Sequence, residues 1–269
     1  MGRPKKYTLN ENYFNKIDTE NKAYILGFIY ADGSINRASN SFTVGLAAKD
    51  IEILEFIKSE LKYSGSICHN KKGSIILTIT SKVIKNDLIK LGIIPNKTYE
   101  SKSLPTIDNN LISHMMRGFF DGDGSIYKTM NKKHIEYSAN FTNNYNVLEI
   151  IKNWLYANNI LSTTIRYRRG ISNKFACMLD IKGNNNIEKL YKLFEINKYF
   201  SLSRKRNRFN EFIKHLGEIN RQYDSNIIDL VISNYNQGYK QFEISKLLNI
   251  PYSSIRGIIQ RARRDNRAI

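Results

Sequence analysis

The chain has 269 residues, an ordinary 41% of them hydrophobic, and carries 42 Lys and Arg against 24 Asp and Glu, for a net charge of +18. That length allows two compact domains or one larger one, and so positive a balance selects a polyanionic partner, nucleic acid first and an anionic membrane second. No apolar run approaches the ~20 residues of a spanning helix, and Met1-Gly2-Arg3-Pro4-Lys5-Lys6 lacks a signal-peptide apolar region, so a soluble intracellular protein with no membrane partner is expected. Cys68 and Cys177 lie far apart with no CxxC spacing, which excludes a disulfide framework; Cys68 is expected to be a small buried residue rather than, with His69, part of a zinc site.

Residues 1–19 read as a basic arm. Its Gly2-Arg3-Pro4-Lys5-Lys6 resembles the AT-hook core, in which Arg enters a narrow minor groove, with a solvated terminus as the alternative. Asp18 or Thr19 can cap a helix starting near Glu20 and running through Ile25-Leu26-Gly27-Phe28-Ile29-Tyr30-Ala31-Asp32-Gly33. Alternation at Phe42, Val44 and Leu46 gives a hairpin, and helical spacing follows from Lys49 to Tyr63. A second hairpin covers Ser66–Asn70 and Ser74–Thr80, and a helix spans Lys82–Leu91. Residues 20–95 thus form a first half, and 96–107 a linker that includes the polar connector Asn96–Ser103 framed by Pro95 and Pro105.

The same order recurs over 108–200. Asp108 or Asn109 caps a helix through Met116-Arg117-Gly118-Phe119-Phe120-Asp121-Gly122-Asp123-Gly124; a hairpin Ser125–Met130 and His134–Thr142 follows, with Ile135, Tyr137, Ala139 and Phe141 inward and Glu136, Ser138, Asn140 and Thr142 outward. A helix at Tyr145–Asn158, a hairpin at Leu161–Arg169 and Asn173–Lys182, and a closing helix at Ile187–Phe194 complete it. Residues 201–223 read as a basic helix with an apolar stripe, and 224–269 as three short helices, Ser225–Asn236, Gln241–Leu248 and Tyr252–Arg264. The fold class is therefore α+β: two pseudo-symmetric αββαββα halves with antiparallel sheets forming a saddle, plus a small all-α C-terminal domain.

Both repeated helices set small residues four apart, Gly27 and Ala31 in one, Gly118 and Gly122 in the other, so two helix backbones can pack face to face. Gly33 and Gly124 suit a left-handed helix end. The packing would bring Asp32 and Asp123 together at the negative ends of two helix dipoles, an arrangement that a shared divalent cation relieves. The repeated pattern resembles the LAGLIDADG homing endonucleases in their single-chain, two-motif form. The resemblance covers about residues 20–200. Tyr30 departs from the motif where Asp121 keeps it, a position that is not a metal ligand in the family. It implies that Asp32 and Asp123 are the catalytic pair, that they bind Mg²⁺ (or Mn²⁺), and that the substrate is double-stranded DNA cut once per strand by a monomer. Lys182 is the candidate for electrostatic assistance in catalysis, and Glu136 a weaker extra ligand.

Strand faces turned from the helices can read base edges, and a two-stranded ribbon fits the major groove. On that ground Asn140 and, in the last hairpin, Arg166, Arg168 and Lys174 are candidate DNA contacts; the turns of the first half supply Arg37, His69 and Lys71, Lys128 serves the third hairpin, and Arg204 and Arg206 reach phosphates. Residues 243–256 resemble a helix-turn-helix, which would place Ser253, Ser254 and Arg256 in the major groove. Two other readings remain: a transcriptional regulator without catalysis, and an RNA maturase acting on its own intron. Richness in Asn, Lys and Ile points to an A·T-rich bacterial or phage genome.

Overall fold

The computed structural model describes residues 7–70, 73–94, 103–131, 134–161, 163–167, 177–221 and 223–264. It divides into two compact units, Met1–Phe212 and Ile213–Ile269. No described helix is long and apolar enough to cross a membrane.

In the first unit α1 (Glu20–Asp32) begins at Thr19, whose hydroxyl accepts the Lys22 N–H at 3.3 Å. Every residue from Ala23 to Tyr30 is buried, which is the signature of a helix surrounded by protein. The chain then passes through β1 (Gly33–Ile35), β2 (Ser41–Ala47), α2 (Ile51–Glu60), β3 (Cys68–His69), β4 (Ser74–Thr80) and α3 (Lys82–Lys90). Ser81 caps α3 by accepting the Ile84 N–H at 3.3 Å. The second half repeats the order with α4 (Ile112–Asp123), β5 (Gly124–Asn131), β6 (His134–Asn143), α5 (Tyr145–Ala157), β7 (Thr163–Tyr167), β8 (Cys177–Lys182) and α6 (Asn184–Leu193). The helix α4 is not capped by Asp108 or Asn109: a 3₁₀ turn at Asn109–Leu111 intervenes, and its start at Leu111 has no side-chain cap.

Each half holds one four-stranded antiparallel sheet, ordered β1-β2-β4-β3 and β5-β6-β8-β7. Residues directly across a ladder share a face, so register sorts every strand side chain into a helix-covered or an open set. In the first sheet Phe42, Val44, Ile75, Leu77 and Ile79 are buried on the covered face. In the second, Ile126, Tyr137, Ala139, Phe141, Leu179 and Ile181 are. Cys68 pairs with Ile76 on the open face and is exposed, contrary to expectation, because β3 is a two-residue edge strand with nothing packed over it.

Helix α7 (Ser203–Arg221) follows, and the boundary between the units falls within it. The second unit contains α8 (Ser225–Asn236), α9 (Gln241–Leu247) and α10 (Tyr252–Arg264) around Val231, Ile244, Ile250, Ile255, Ile258 and Ile259. Asp224 caps α8 on the Ile227 N–H at 2.8 Å, and the Glu243 carboxylate accepts the Lys240 N–H at 2.8 Å. Residues 248–251 make the turn between α9 and α10, with Asn249 left-handed at φ 51°. The three helices agree with the expected ones to within a residue.

Candidate active site and nucleic-acid interface

The two halves meet along α1 and α4, and their glycines set the spacing. A Cβ on Gly27 would lie 1.9 Å from the Met115 carbonyl oxygen, and one on Gly118 would lie 1.9 Å from that of Tyr24. The backbones touch with no side chain between them, and the contact is the same from either side. One turn further on, a Cβ on Gly122 would fall 2.4 Å from the Ala31 Cβ and 3.2 Å from the Asp32 Oδ2. The Asp32 carboxylate therefore lies against the residue that precedes Asp123. Both aspartates are half-buried. Gly33 and Gly124 are extended, at φ −80° and −102°, rather than left-handed. The chain runs straight from helix into strand, so what each glycine supplies is clearance: a Cβ would lie 2.5 Å from the Ile29 carbonyl oxygen or 2.3 Å from the Phe120 ring.

A lysine of the basic helix read at residues 201–223 lies at the same helix end. Lys205 is buried, and its Nζ donates to the carbonyl oxygens of Phe120 at 2.5 Å and Asp121 at 2.7 Å, in the last turn of α4. An ammonium there meets the negative end of the helix dipole. Burial pushes its pKa down to about 8, against the opposing pull of Asp121, Asp32 and Asp123. The missed signal was periodic: Lys205, Phe209 and Phe212 stand at i, i+4 and i+7, so the lysine belongs to the apolar stripe of its helix.

Asp121, at the motif position that is not a metal ligand in the family, is a buried residue of α4. It accepts the Tyr24 hydroxyl at 2.7 Å and the Leu202 N–H at 2.7 Å, and burial raises its carboxyl pKa. It joins α1, α4 and the start of α7. The Asn143 amide donates to the Asp123 Oδ2 at 3.3 Å. The residue at the matching place in the first half is Leu46, because Gly124 pairs with Phe141 as Gly33 pairs with Val44.

Lys182 is elsewhere. It pairs with Ser138, whereas the Asp123 partner Asn143 pairs with Cys177. Five residue steps separate the two ends of β8, Cys177 and Lys182, roughly 17 Å. There Lys182 lines a cleft of about 620 Å³ with Tyr127, Glu136 and Asn184.

The open faces hold only some of the expected DNA contacts. Arg37 is exposed in its turn, and Arg166 projects from the open face of β7 with its side chain half exposed, tied to the buried Asp180. Lys128 has the wrong parity: it shares the covered face with Ile126 and Tyr137 and pairs with Glu211 of α7 at 3.1 Å. His69 likewise lies opposite Ile75 on the covered side, at the exposed sheet edge. Asn140 is on the open face but buried, on one of the two central strands of its sheet between Ser125 and Asp180. Arg204 binds Asp50 twice, at 2.9 and 3.2 Å, and Arg206 donates to the Ser201 carbonyl and the Ser203 hydroxyl. With Glu52 accepting the Ser203 N–H at 2.6 Å, this end of α7 fastens the second half to the first, and the Arg204 side chain stays exposed while it does so. Lys71, Arg168, Lys174 and the residues of the Gly2–Lys6 arm lie outside the described residues. In the second unit Ser253 and Arg256 are exposed and Ser254 is half-buried.

This fold, two halves joined by a pair of helices with a sheet in each, is that of the LAGLIDADG homing endonucleases, which are its neighbours among solved structures over most of the chain. I-GzeII, solved in complex with its DNA target, superposes with a TM-score of 0.54 at 18% identity, over 76% of this chain and 93% of that one. I-AabMI, bound to uncleaved DNA, gives 0.57 at 16% identity, over 74% and 91%. At such identities the likeness fixes the fold and leaves the activity open. An uncharacterised protein of Methanocaldococcus jannaschii is 28% identical over 134 residues, 46% of this chain, and the matched part spans about half, 48%, of that relative. No protein-family model matches the sequence.

Proposed function

We propose that the chain is a site-specific DNA endonuclease that hydrolyses one phosphodiester on each strand with a divalent metal. The observation that carries this is the close pairing of the α1 and α4 ends, which sets the Asp32 carboxylate against Gly122, next to Asp123, with the buried Lys205 on the last-turn carbonyls of α4. The donor set suits Mg²⁺ or Mn²⁺. Among the described residues no cluster of three or more acidic, His or Cys side chains forms a metal cage, and Mg²⁺ at phosphate sites uses one or two carboxylates, with water and substrate oxygens supplying the rest. When bound, the metal polarises the scissile phosphate and lowers the pKa of coordinated water.

The chain's own groups do the remaining work. Asp32 and Asp123 hold the metal, and their backbones are fixed by contacts too close to slide. Asn143 orients the Asp123 carboxylate. Lys205, rather than Lys182, supplies positive charge against the phosphate charge that grows in the transition state. The open faces of the two sheets form a saddle over the duplex, with Arg37 and Arg166 toward it. The second unit adds a helix-turn-helix, with Ser253, Ser254 and Arg256 at the start of the reading helix. The basic balance of the chain favours a nucleic-acid partner, and one chain holds both halves of the site, so it acts as a monomer.

The test is recovery of cleaved duplexes from a randomised library in Mg²⁺. The expected result is one enriched sequence cut on both strands by the natural chain, and binding without double-strand cleavage by Asp123→Asn. Cleavage of both strands at the natural rate by Asp123→Asn would refute the assignment. Binding that never produces a nick would leave a DNA-binding regulator instead.

A further inference from the structure

The two open faces, although built on one topology, differ in chemistry. In the first sheet every described open-face strand residue is uncharged, and Thr43, Ala47, Ile76, Thr78 and Thr80 present methyl groups around Gly45. The Thr43 and Thr78 hydroxyls bond one another at 3.2 Å, which leaves their methyls as the outward feature. In the second sheet the corresponding face carries Tyr127, Glu136, Arg166, Asp180 and Lys182. Two of the five N–H donors of Arg166 go to Asp180, whose side chain is only 5% exposed while that of Arg166 is 52% exposed. A buried carboxylate thus holds a guanidinium in one orientation and leaves three donors free for a ligand.

We infer that the two halves read different base chemistry: the first sheet takes an A·T-rich half-site by contact with thymine methyls, and the second takes a half-site with a guanine bound by Arg166. A methyl-bearing, charge-free surface complements the thymine C5-methyl in the major groove, whereas paired Arg donors match guanine O6 and N7. Asp180 is a positioning residue in this scheme. The inference rests on the endonuclease reading only in that the open faces are what meet the duplex. The target is then chemically lopsided, despite the pseudo-symmetry of the protein.

The full chain is used to select bound duplexes from a randomised library without metal, and the enriched target is resynthesised with uracil for thymine in one half-site at a time. The expected result is a loss of affinity of about fourfold per removed methyl in one half-site only. Arg166→Ala is expected to cut the preference for guanine, by roughly tenfold to a hundredfold, at a single base pair in the other half-site. The uracil duplexes need no protein variant, so a poorly folded Arg166→Ala leaves that arm intact. Equal sensitivity of both half-sites to uracil, none in either, or an Arg166-dependent guanine within the uracil-sensitive half would overturn the inference. Failure to enrich any duplex would instead overturn the DNA-binding reading beneath it.

Discussion

Gly122→Ala tests the helix contact on which the site depends. The new methyl would fall 2.4 Å from the Ala31 Cβ, where contacting carbons stand about 3.5–4.0 Å apart, so the helices must part by about 1 Å or more. Overpacking of this kind costs about 1–3 kcal/mol, and the gain in helix propensity over glycine is at most about 1 kcal/mol. A net loss of about 1–2 kcal/mol is expected. Adding Ala31→Gly removes the methyl that already fills this space and should restore stability to within about 1 kcal/mol, a coupling of about 1–2 kcal/mol between touching residues. Urea denaturation followed by far-ultraviolet circular dichroism measures all four corners of the cycle. Because the same methyl would lie 3.2 Å from the Asp32 Oδ2, cleavage should fall in the single variant and recover in the double. A Gly122→Ala protein as stable as the natural one, or one that Ala31→Gly fails to rescue, would show that the helices do not meet as described.

Lys205 makes stability depend on alkaline pH. With a folded pKa of about 8 against the ordinary 10.5, the folded protein has released a proton that the unfolded chain still binds between these values, so stability rises with pH across that window. From pH 7.5 to 9.5 the gain is about 2 kcal/mol. Denaturant titrations of the natural chain should show it and those of Lys205→Met should not; parallel curves would place the lysine in water. Deleting residues 224–269 should shorten the DNA footprint and weaken binding while leaving the Asp32–Asp123 site able to cut, since those helices have a core of their own. An unchanged footprint would deny that unit a part in DNA reading.

The sequence determined the features with short-range causes. Small residues four apart twice over dictated which helix faces pair, and with them the placing of the Asp32 carboxylate against Gly122. Period-two alternation located the strands, and the duplicated order of elements located the halves. Parity was also present in the sequence and excludes Lys128 from the open face, since it stands two residues from Ile126, on the covered side. The tertiary structure alone decided the fate of the charged side chains. Lys205, Arg204 and Arg206 occupy one basic run, yet one turns inward to the last turn of α4, one binds Asp50 across the halves, and one closes on Ser201 and Ser203. A long cation can reach water, a carboxylate or a helix end at nearly equal cost, so its partner is set by which groups the fold brings within about 3 Å, from 154 residues away for Arg204 and 85 for Lys205.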